Sequence, residues 1–360
     1  MNKKIIFASG GTGGHIFPAV TMMNHLSQNG YEVILVTDKR GHGFLKKYPK
    51  LKSYVIAASS PTDKKFINKV VSLFLIIISL FKSATIIYKI KPNLIFGFGG
   101  YASFSVSILS KLFNIPLIIY DNNLVLGRAN KVLASISKKI LLANKMSKNF
   151  PDQHNKKIHE VGFILRKEIA NYNNKIKQKN GRNIFSILVL GGSQGAKIFG
   201  EVIPPVIKRI NDLGHKIEIK QQCREEQKES IVNFYKNNKI VNEVFNFSDD
   251  IFKIMSSADL AISRCGASSI AELVHFCTPF IAVPLENSID DHQLLNAKFF
   301  EEKKYCWILK EENFNSDNLY NCIIKIIENK KILENIHEKM KKNDSNNAHI
   351  KVENIIKDFI

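Results

Sequence analysis

Three glycine-rich turns, each directly after a short apolar run, are where this chain could hold phosphate: GGTGGH at residues 10–15, GFGGY at 97–101 and GGSQG at 191–195. Glycine lets backbone N–H groups close on an anion and turn into a helix N-terminus, whose dipole favours negative charge. A pyrophosphate is the natural guest. The first turn is not a P-loop, because no G-K-[S/T] follows, and it lacks the third glycine of a G-x-G-x-x-G fingerprint. Asp38, at the end of the second apolar run, keeps a dinucleotide-ribose contact open. One such turn is also an ordinary strand-to-helix connection, but three imply several phosphates. A nucleoside diphosphate and a second, pyrophosphate-bearing molecule would use turns in both halves, whereas one dinucleotide would use one. His15 closes the first turn, where a neutral imidazole could take a proton from an attacking hydroxyl or simply cap the helix.

The second half adds a polar constellation. Residues 263–272 (SRCGASSIAE) follow the apolar run LAIS and offer another turn into a helix. Glu272, one turn in, could accept both hydroxyls of a ribose or lie on a solvated helix face. In residues 284–297 (PLENSIDDHQLLNA), Asp290, Asp291 and His292 could cap a helix, and Gln293 offers a donor and an acceptor to a sugar. No metal is expected, since His275 and His292 fall in different elements. A nucleophilic serine is not expected either, for want of a G-x-S-x-G.

The elements that must carry these residues are short β-branched or aromatic runs separated by helical stretches: KIIFAS, EVILVT, SYVIAA, NLIFGFGG, PLIIYD and KILLA, then FSILVLGG, KIEIKQ, LAISR and PFIAVPL. Buried parallel strands alternating with helices give an α/β class. The polar stretch at 171–182 precedes a fresh strand, so two doubly wound domains facing across a cleft are expected. A length of 360 residues agrees with two cores. Ile350, Ile355, Ile356 and Phe359 sit at helical spacing in a closing helix. The net charge of +20 rests mostly on lysine, with no basic run interleaved with aromatics and no arginine cluster. Nucleic acid is therefore not an expected partner, whereas an anionic membrane or phosphorylated substrates are. Five scattered cysteines indicate neither disulfides nor zinc, and the N-terminal apolar run is too short for a signal segment, so a cytoplasmic protein is expected.

Between Lys69 and Lys82 runs VVSLFLIIISLF, with Lys64 and Lys65 before it and Lys89 and Lys91 after it. About a dozen apolar residues cannot span a bilayer, which needs roughly twenty. A core helix whose outer face dips into the headgroup region fits the 64–91 segment.

Taken in order, GGTGGHIFPA, FGFGGYAS, GGSQGA, FSDD, SRCGASSIAEL and DDHQLLNA resemble the MurG family of peptidoglycan glycosyltransferases over essentially the whole chain. The resemblance implies a GT-B fold. Residues 1–165 would form an acceptor- and membrane-facing domain to which 345–360 returns, and 166–344 a domain binding UDP-GlcNAc. It further implies inverting transfer of GlcNAc from UDP-GlcNAc to the C4 hydroxyl of undecaprenyl-pyrophosphoryl-MurNAc-pentapeptide, at the cytoplasmic face of the bacterial plasma membrane, without a cofactor. Carried over residue by residue, Thr12, Gly13, Gly14, Asn123, Arg166, Ser193, Gln194, Ser248, Ala267, Ser268, Ser269, Glu272 and Gln293 would meet the donor. Gly99, Gly100 and Tyr101 would hold the acceptor pyrophosphate, and His15 is the candidate base. The family's HEQN, VGNPVR and HQTG-like segments read YDNN (120–123), VGFILR (161–166) and KQQC (220–223) here. Alternatives are a diacylglycerol glycosyltransferase of the same superfamily, a UDP-sugar epimerase on the same fold, and a nucleotide-binding relative without turnover.

Overall fold

The structure is a computed structural model and describes residues 3–45, 48–57, 66–144, 152–170, 172, 184–192, 195–248, 250–342 and 347–360. Two compact units divide the chain: Met1–Arg166 with Ser345–Ile360, and Lys167–Asp344.

In the first unit, strands β1 (Lys4–Ala8), β2 (Glu32–Thr37), β3 (Lys52–Val55), β4 (Leu94–Gly97), β5 (Leu117–Asp121), β6 (Lys139–Leu142) and β7 (Ile158–Glu160) form one sheet in the order β3-β2-β1-β4-β5-β6-β7. Every pairing in it is parallel. Helices α1 (Gly13–Gln28), α2 (Lys39–Phe44), α3 (Phe66–Ile90), α4 (Tyr101–Ser107) and α5 (Arg128–Leu133) connect the strands. The strands read as unbroken apolar runs because both faces are covered. Along β1, Ile5 and Phe7 join the core that contains α1, while Ile6 and Ala8 join the core that contains the end of α3. The strand order reverses between β1 and β4, which places the turns after those two strands side by side.

In the second unit, α6 (Lys167–Ala170) is followed by β8 (Phe185–Leu190), α7 (Lys197–Asp212), β9 (Ile217–Gln222), α8 (Glu225–Asn237), β10 (Val241–Phe245), α9 (Ile251–Ser257), β11 (Leu260–Ser263), α10 (Ala267–His275), β12 (Phe280–Ala282), α11 (His292–Glu302), β13 (Cys306–Ile308), α12 (Ser316–Glu328) and α13 (Lys330–Lys341). The parallel sheet order β10-β9-β8-β11-β12-β13 reverses between β8 and β11. Both expected α/β sheets are therefore present.

The closing helix α14 (Ala348–Lys357) packs on α1, but not in the register expected from its isoleucines. Ala348, Val352 and Ile356, four residues apart, are the buried positions, and Ile350 is 47% exposed. A polar clasp fixes the register. Glu353 Oε2 lies 2.6 Å from His25 Nε2 and accepts from Asn29 Nδ2 at 2.8 Å, while the His25 and His349 rings meet edge to face at 4.8 Å.

Helix α3 extends to 25 residues, about twice the apolar run that marks it in the sequence. Ser79, Ser83, Ile86, Ile87 and Ile90 face inward, and Phe74, Ile77, Ile78, Phe81 and Tyr88 are exposed. The inward serines let α3 lie close to α4, so the bulky side chains are left outside. Among the described residues, no helix is long and apolar enough to cross a membrane.

Candidate functional site

The first unit's candidate site is built where β1 and β4 end. The Gly10 N–H donates to Gly99 O at 2.8 Å, joining the two glycine turns directly. A methyl group on Gly100 would lie 2.7 Å from Gly10 Cα, and Gly99 and Gly100 both have positive φ, at 89° and 83°. Only glycine fits this approach. His15 lies against the same backbone: a methyl group on Gly99 would sit 3.0 Å from its Cε1 and 3.2 Å from its Nδ1. Thr12 occupies the N-cap of α1 in an extended conformation, and its hydroxyl makes no capping bond. Gly13 and Gly14 form the first turn of that helix, and Tyr101 begins α4 directly after Gly100. Six of the residues singled out in the sequence, Thr12, Gly13, Gly14, His15, Gly99 and Gly100, thus converge on one end of one sheet.

The exit of β5 is organised by Asp121. Its buried carboxylate accepts from the Asn123 N–H at 3.1 Å, Asn123 Nδ2 at 3.3 Å, the Gly127 N–H at 2.9 Å and Asn130 Nδ2 at 3.0 Å. Asn122 Nδ2 donates to Gly14 O at 2.9 Å, tying this loop to the start of α1. Asn123 is therefore held by its neighbour rather than presented on a loose loop.

The unusual YDNN and VGFILR segments answer one another. Tyr120 is buried, and its hydroxyl accepts the Ile164 N–H at 3.2 Å while donating to Gly162 O at 3.3 Å. Proline at position 164 would have no N–H to satisfy; isoleucine has one, and the phenol satisfies it. Burial pushes the phenol's pKa far up, against the opposing Ile164 hydrogen bond and with help from the Asp121 charge, so Tyr120 is no acid or base at neutral pH. The segment it holds ends at Arg166, whose guanidinium lies 5.2 Å from the Phe17 ring centroid.

Asp38 is committed to the backbone around it. Its Oδ2 accepts from the Gly11 N–H at 2.9 Å and its Oδ1 from the Gly41 N–H at 2.8 Å, so it caps α2 and shapes the first glycine turn. Its role is structural, and it does not support a dinucleotide-ribose contact.

In the second unit the turn after β8 curls tightly. A methyl group on Gly191 would lie 2.6 Å from Ala196 N, and one on Gly195 2.7 Å from Arg224 Cγ. Ser193 and Gln194 lie outside the described residues. Arg224, which the sequence reading missed, donates from Nε to Gly195 O at 3.3 Å and sets a cation beside this turn. Its signal was its place directly after β9, the strand next to β8. Ser248 follows the end of β10, beside Phe247, an exposed ring that the sequence reading also passed over.

The turn between β11 and α10 brings Ala267, Ser268 and Ser269 into the first helical turn, with Gly266 at the N-cap. Glu272 is only 5% exposed, which rules out the solvated-face alternative. Gln293 Oε1 accepts the Cys265 N–H at 3.1 Å and the Leu285 N–H at 3.0 Å. With its oxygen committed twice, the remaining amide nitrogen of Gln293 can only donate. Asp290 and Asp291 both sit at positive φ, 53° and 51°, and Asp291 makes no capping bond; the Ser288 hydroxyl accepts the Gln293 N–H at 3.3 Å instead. Two consecutive non-glycine residues at positive φ are uncommon, and aspartate is among the side chains that tolerate it. Among the described residues, no group of His, Cys, Asp and Glu is arranged to hold a metal ion.

Known proteins match this arrangement along its length. The glycosyltransferase family 28 N-terminal domain matches residues 5–142, and the glycosyltransferase family 28 C-terminal domain matches residues 186–355. A Rickettsia bellii protein named UDP-N-acetylglucosamine--N-acetylmuramyl-(pentapeptide) pyrophosphoryl-undecaprenol N-acetylglucosamine transferase is 35% identical over 361 residues, covering 99% of this chain and 100% of the relative. The chain belongs to glycosyltransferase family 28, in its MurG group. A protein of the same name from Pelagibacter ubique is 34% identical, with 99% of each chain covered. The crystal structure of Acinetobacter baumannii MurG superposes with a TM-score of 0.81 at 25% identity, covering 99% of this chain and 100% of that one. The GT-B fold and glycosyltransferase activity follow for this family member.

Proposed function

We propose that this glycosyltransferase moves GlcNAc from UDP-GlcNAc to the C4 hydroxyl of a lipid-pyrophosphate-linked MurNAc-pentapeptide. The observation that carries the chemistry is the imidazole of His15 held against the Gly99–Gly100 backbone at the switch point of the first sheet. A base must be fixed beside the molecule it deprotonates, and here it shares its seat with the turn suited to an acceptor pyrophosphate. The acceptor O4 attacks C1 of GlcNAc, its proton passes to His15, and the bond from C1 to the diphosphate oxygen breaks with inversion. UDP departs. Gly99, Gly100 and Tyr101 hold the acceptor pyrophosphate.

In the second unit, the turn 191–195 with Ser193 and Gln194 meets the diphosphate, and Arg224 adds a cation. Ser248 holds the base edge through its backbone, and the Phe247 ring stacks on it. Ala267, Ser268 and Ser269 approach the nucleotide, buried Glu272 takes the ribose hydroxyls, and the donating amide of Gln293 meets an oxygen of the sugar. By the same resemblance we assign Thr12, Gly13, Gly14, Asn123 and Arg166 to the donor's sugar and phosphates. Backbone N–H groups and helix N-termini would carry the leaving-group charge.

The exposed face of α3, with Lys82 and Lys89 along it, supports docking on an anionic membrane at the cytoplasmic side of a bacterial plasma membrane. Lys64 and Lys65 lie outside the described residues.

The deciding experiment is transfer of radiolabelled GlcNAc to a short-chain lipid-pyrophosphate MurNAc-pentapeptide by wild type and His15→Ala. Transfer by wild type, with a loss of at least a hundredfold in His15→Ala, is expected. Equal transfer by both removes His15 from the mechanism. Turnover of UDP-GlcNAc alone points to an epimerase, and transfer to diacylglycerol but not to the pyrophosphate acceptor points to a lipid glycosyltransferase.

A further inference from the structure

We propose that Arg264 and Glu311 are positioning residues that hold the nucleotide-binding turns of the second unit in their bound shape, resting on the donor assignment above. An arginine in the turn after β11, next to a glycine loop, invites assignment as a phosphate ligand: a methyl group on Gly192 would lie 4.0 Å from Arg264 Cβ. The geometry directs it elsewhere. The side chain is buried, and its fork is taken by Glu311, with Nη1 donating to Oε2 at 2.8 Å and Nη2 to Oε1 at 3.0 Å. Nη1 also reaches Val283 O at 3.3 Å and Pro284 O at 3.4 Å, and the guanidinium carbon lies 5.0 Å from the Phe199 ring centroid.

The sheet ladder holds the strands themselves in register, with the Val283 N–H donating to Ser263 O at 2.8 Å, and the Arg264 contacts extend that hold to the loops beyond the strand ends. Val283 and Pro284 follow β12, Glu311 opens the 3-10 turn after β13, and Phe199 lies in the first turn of α7, the helix that follows the turn 191–195. Glu311 Oε2 accepts the Glu286 N–H at 3.1 Å as well. Beside this pair, Gln293 Oε1 bridges Cys265 and Leu285, and Asn296 Nδ2 donates to Cys265 O at 3.1 Å. Both backbone polar groups of Cys265, one residue past Arg264, are thus held by side chains of α11. A planar, bidentate guanidinium suits such a brace because one rigid group satisfies several acceptors at fixed angles, which lysine cannot do. A turn braced in this way, the one that delivers Ala267 to Ser269, leaves less for ligand binding to order.

The roles separate in a double-mutant cycle on the full chain, with UDP as the probe in calorimetry and the donor KM, acceptor KM and kcat measured in parallel. Arg264→Met and Glu311→Ala should each raise the UDP dissociation constant about tenfold, the size expected from loosening roughly one residue of backbone. The double variant should be no weaker than the worse single one, because the two act as a unit. The donor KM should follow, with kcat at saturating donor and the acceptor KM unmoved. Arg264→Lys should not rescue, and it carries the cycle with Glu311→Ala if Arg264→Met fails to fold.

Wild-type affinity in Glu311→Ala with binding abolished in Arg264→Met would make Arg264 a direct phosphate ligand and overturn the proposal. Additive losses, or unchanged binding in both single variants, would overturn it too. Failure of the wild type to bind UDP would sink the donor assignment itself, and this proposal with it.

Discussion

Gly99→Ala tests the link between the glycine turns and proton transfer. Two costs are built into the substitution. The first is conformational, since φ is 89° at Gly99 and an L-residue on that side of the map costs about 1–2 kcal/mol. The second is steric and directed, since the new methyl would meet His15 Cε1 at 3.0 Å and Nδ1 at 3.2 Å, where ordinary contacts begin at 3.4 Å. The ring must give way by a few tenths of an ångström. A misplacement of about 1 Å can cost on the order of a hundredfold in rate, so a shift of this size should lower kcat about tenfold. Gly30→Ala supplies the control, because Gly30 has φ of 86° and nothing within 4 Å of the added carbon. It carries the same kind of backbone cost without the push on a catalytic ring. Urea unfolding should therefore show a loss of stability for both variants, larger for Gly99→Ala by its steric share, while the labelled-GlcNAc transfer assay separates them, with Gly99→Ala slow and Gly30→Ala near wild type. Wild-type kcat in Gly99→Ala, or equal loss in both, refutes the proposed function of this contact.

Further expectations come from other parts of the chain. Tyr120→Phe leaves the Ile164 N–H without its partner in a buried setting and should cost about 1–3 kcal/mol in denaturant unfolding. Glu272→Gln should raise the KM for UDP-GlcNAc about tenfold or more, with a smaller effect for a 2′-deoxyribose donor analogue, if the carboxylate meets the ribose. The α14 clasp should weaken in acid. Burial, and then the neighbouring His25, hold the His349 imidazole below its ordinary 6.5 against the opposing pull of Glu353, so its contribution is complete above that pH and is lost as pH falls through the lower folded value. Glu353 has a carboxyl that partial burial pushes up and that its bonds to Lys357 and His25 pull below 4.5, so its share is present above that pH and disappears only in stronger acid. Amide exchange of α14 should slow less between pH 7.5 and 5 than the intrinsic, base-catalysed rate does, so that its protection falls, and His349→Gln should flatten the upper part of that fall. Serine at Phe74 and Phe81, which are 62% and 74% exposed, should weaken binding to anionic liposomes at least tenfold with little change in folding stability, and unchanged binding would sink the docking proposal.

Much of the scaffold was legible because parallel strands buried on both faces must be written as unbroken apolar runs, and the turns after β1, β4 and β8 as glycine. What stayed hidden depends on partners distant in sequence. Asp38 looks like a ribose ligand until Gly11 is found 27 residues away, and Arg264 looks like a phosphate ligand until Glu311 is found 47 residues away. The middle of α3 misleads for another reason: Ser79 and Ser83 are buried there while Phe74, Ile77, Ile78 and Phe81 are exposed, and among the described residues only at Ile86, Ile87 and Ile90 do large apolar residues point inward. Ile350 misled in the same way, since the clasp on Glu353 sets the register of α14. Among the candidate site residues, the convergence of the first two glycine turns and His15 on one sheet end could be anticipated because each turn is a local motif directly after a strand. Arg224 and Asp121 could not, because neither belongs to a motif until strand order is known.

The contact between Gly10 and Gly100 has a consequence for how this site can change over generations. Each glycine occupies the space that a side chain on the other would need, and the residue between them in space is no residue at all. A single substitution at either meets a wall of backbone, and a paired substitution makes the clash worse. The two turns are therefore frozen as a single unit of inheritance. On the proposed function, new acceptor preferences would arise from the rim, at positions such as Tyr101, where a side chain already exists and can be exchanged without parting the strands beneath.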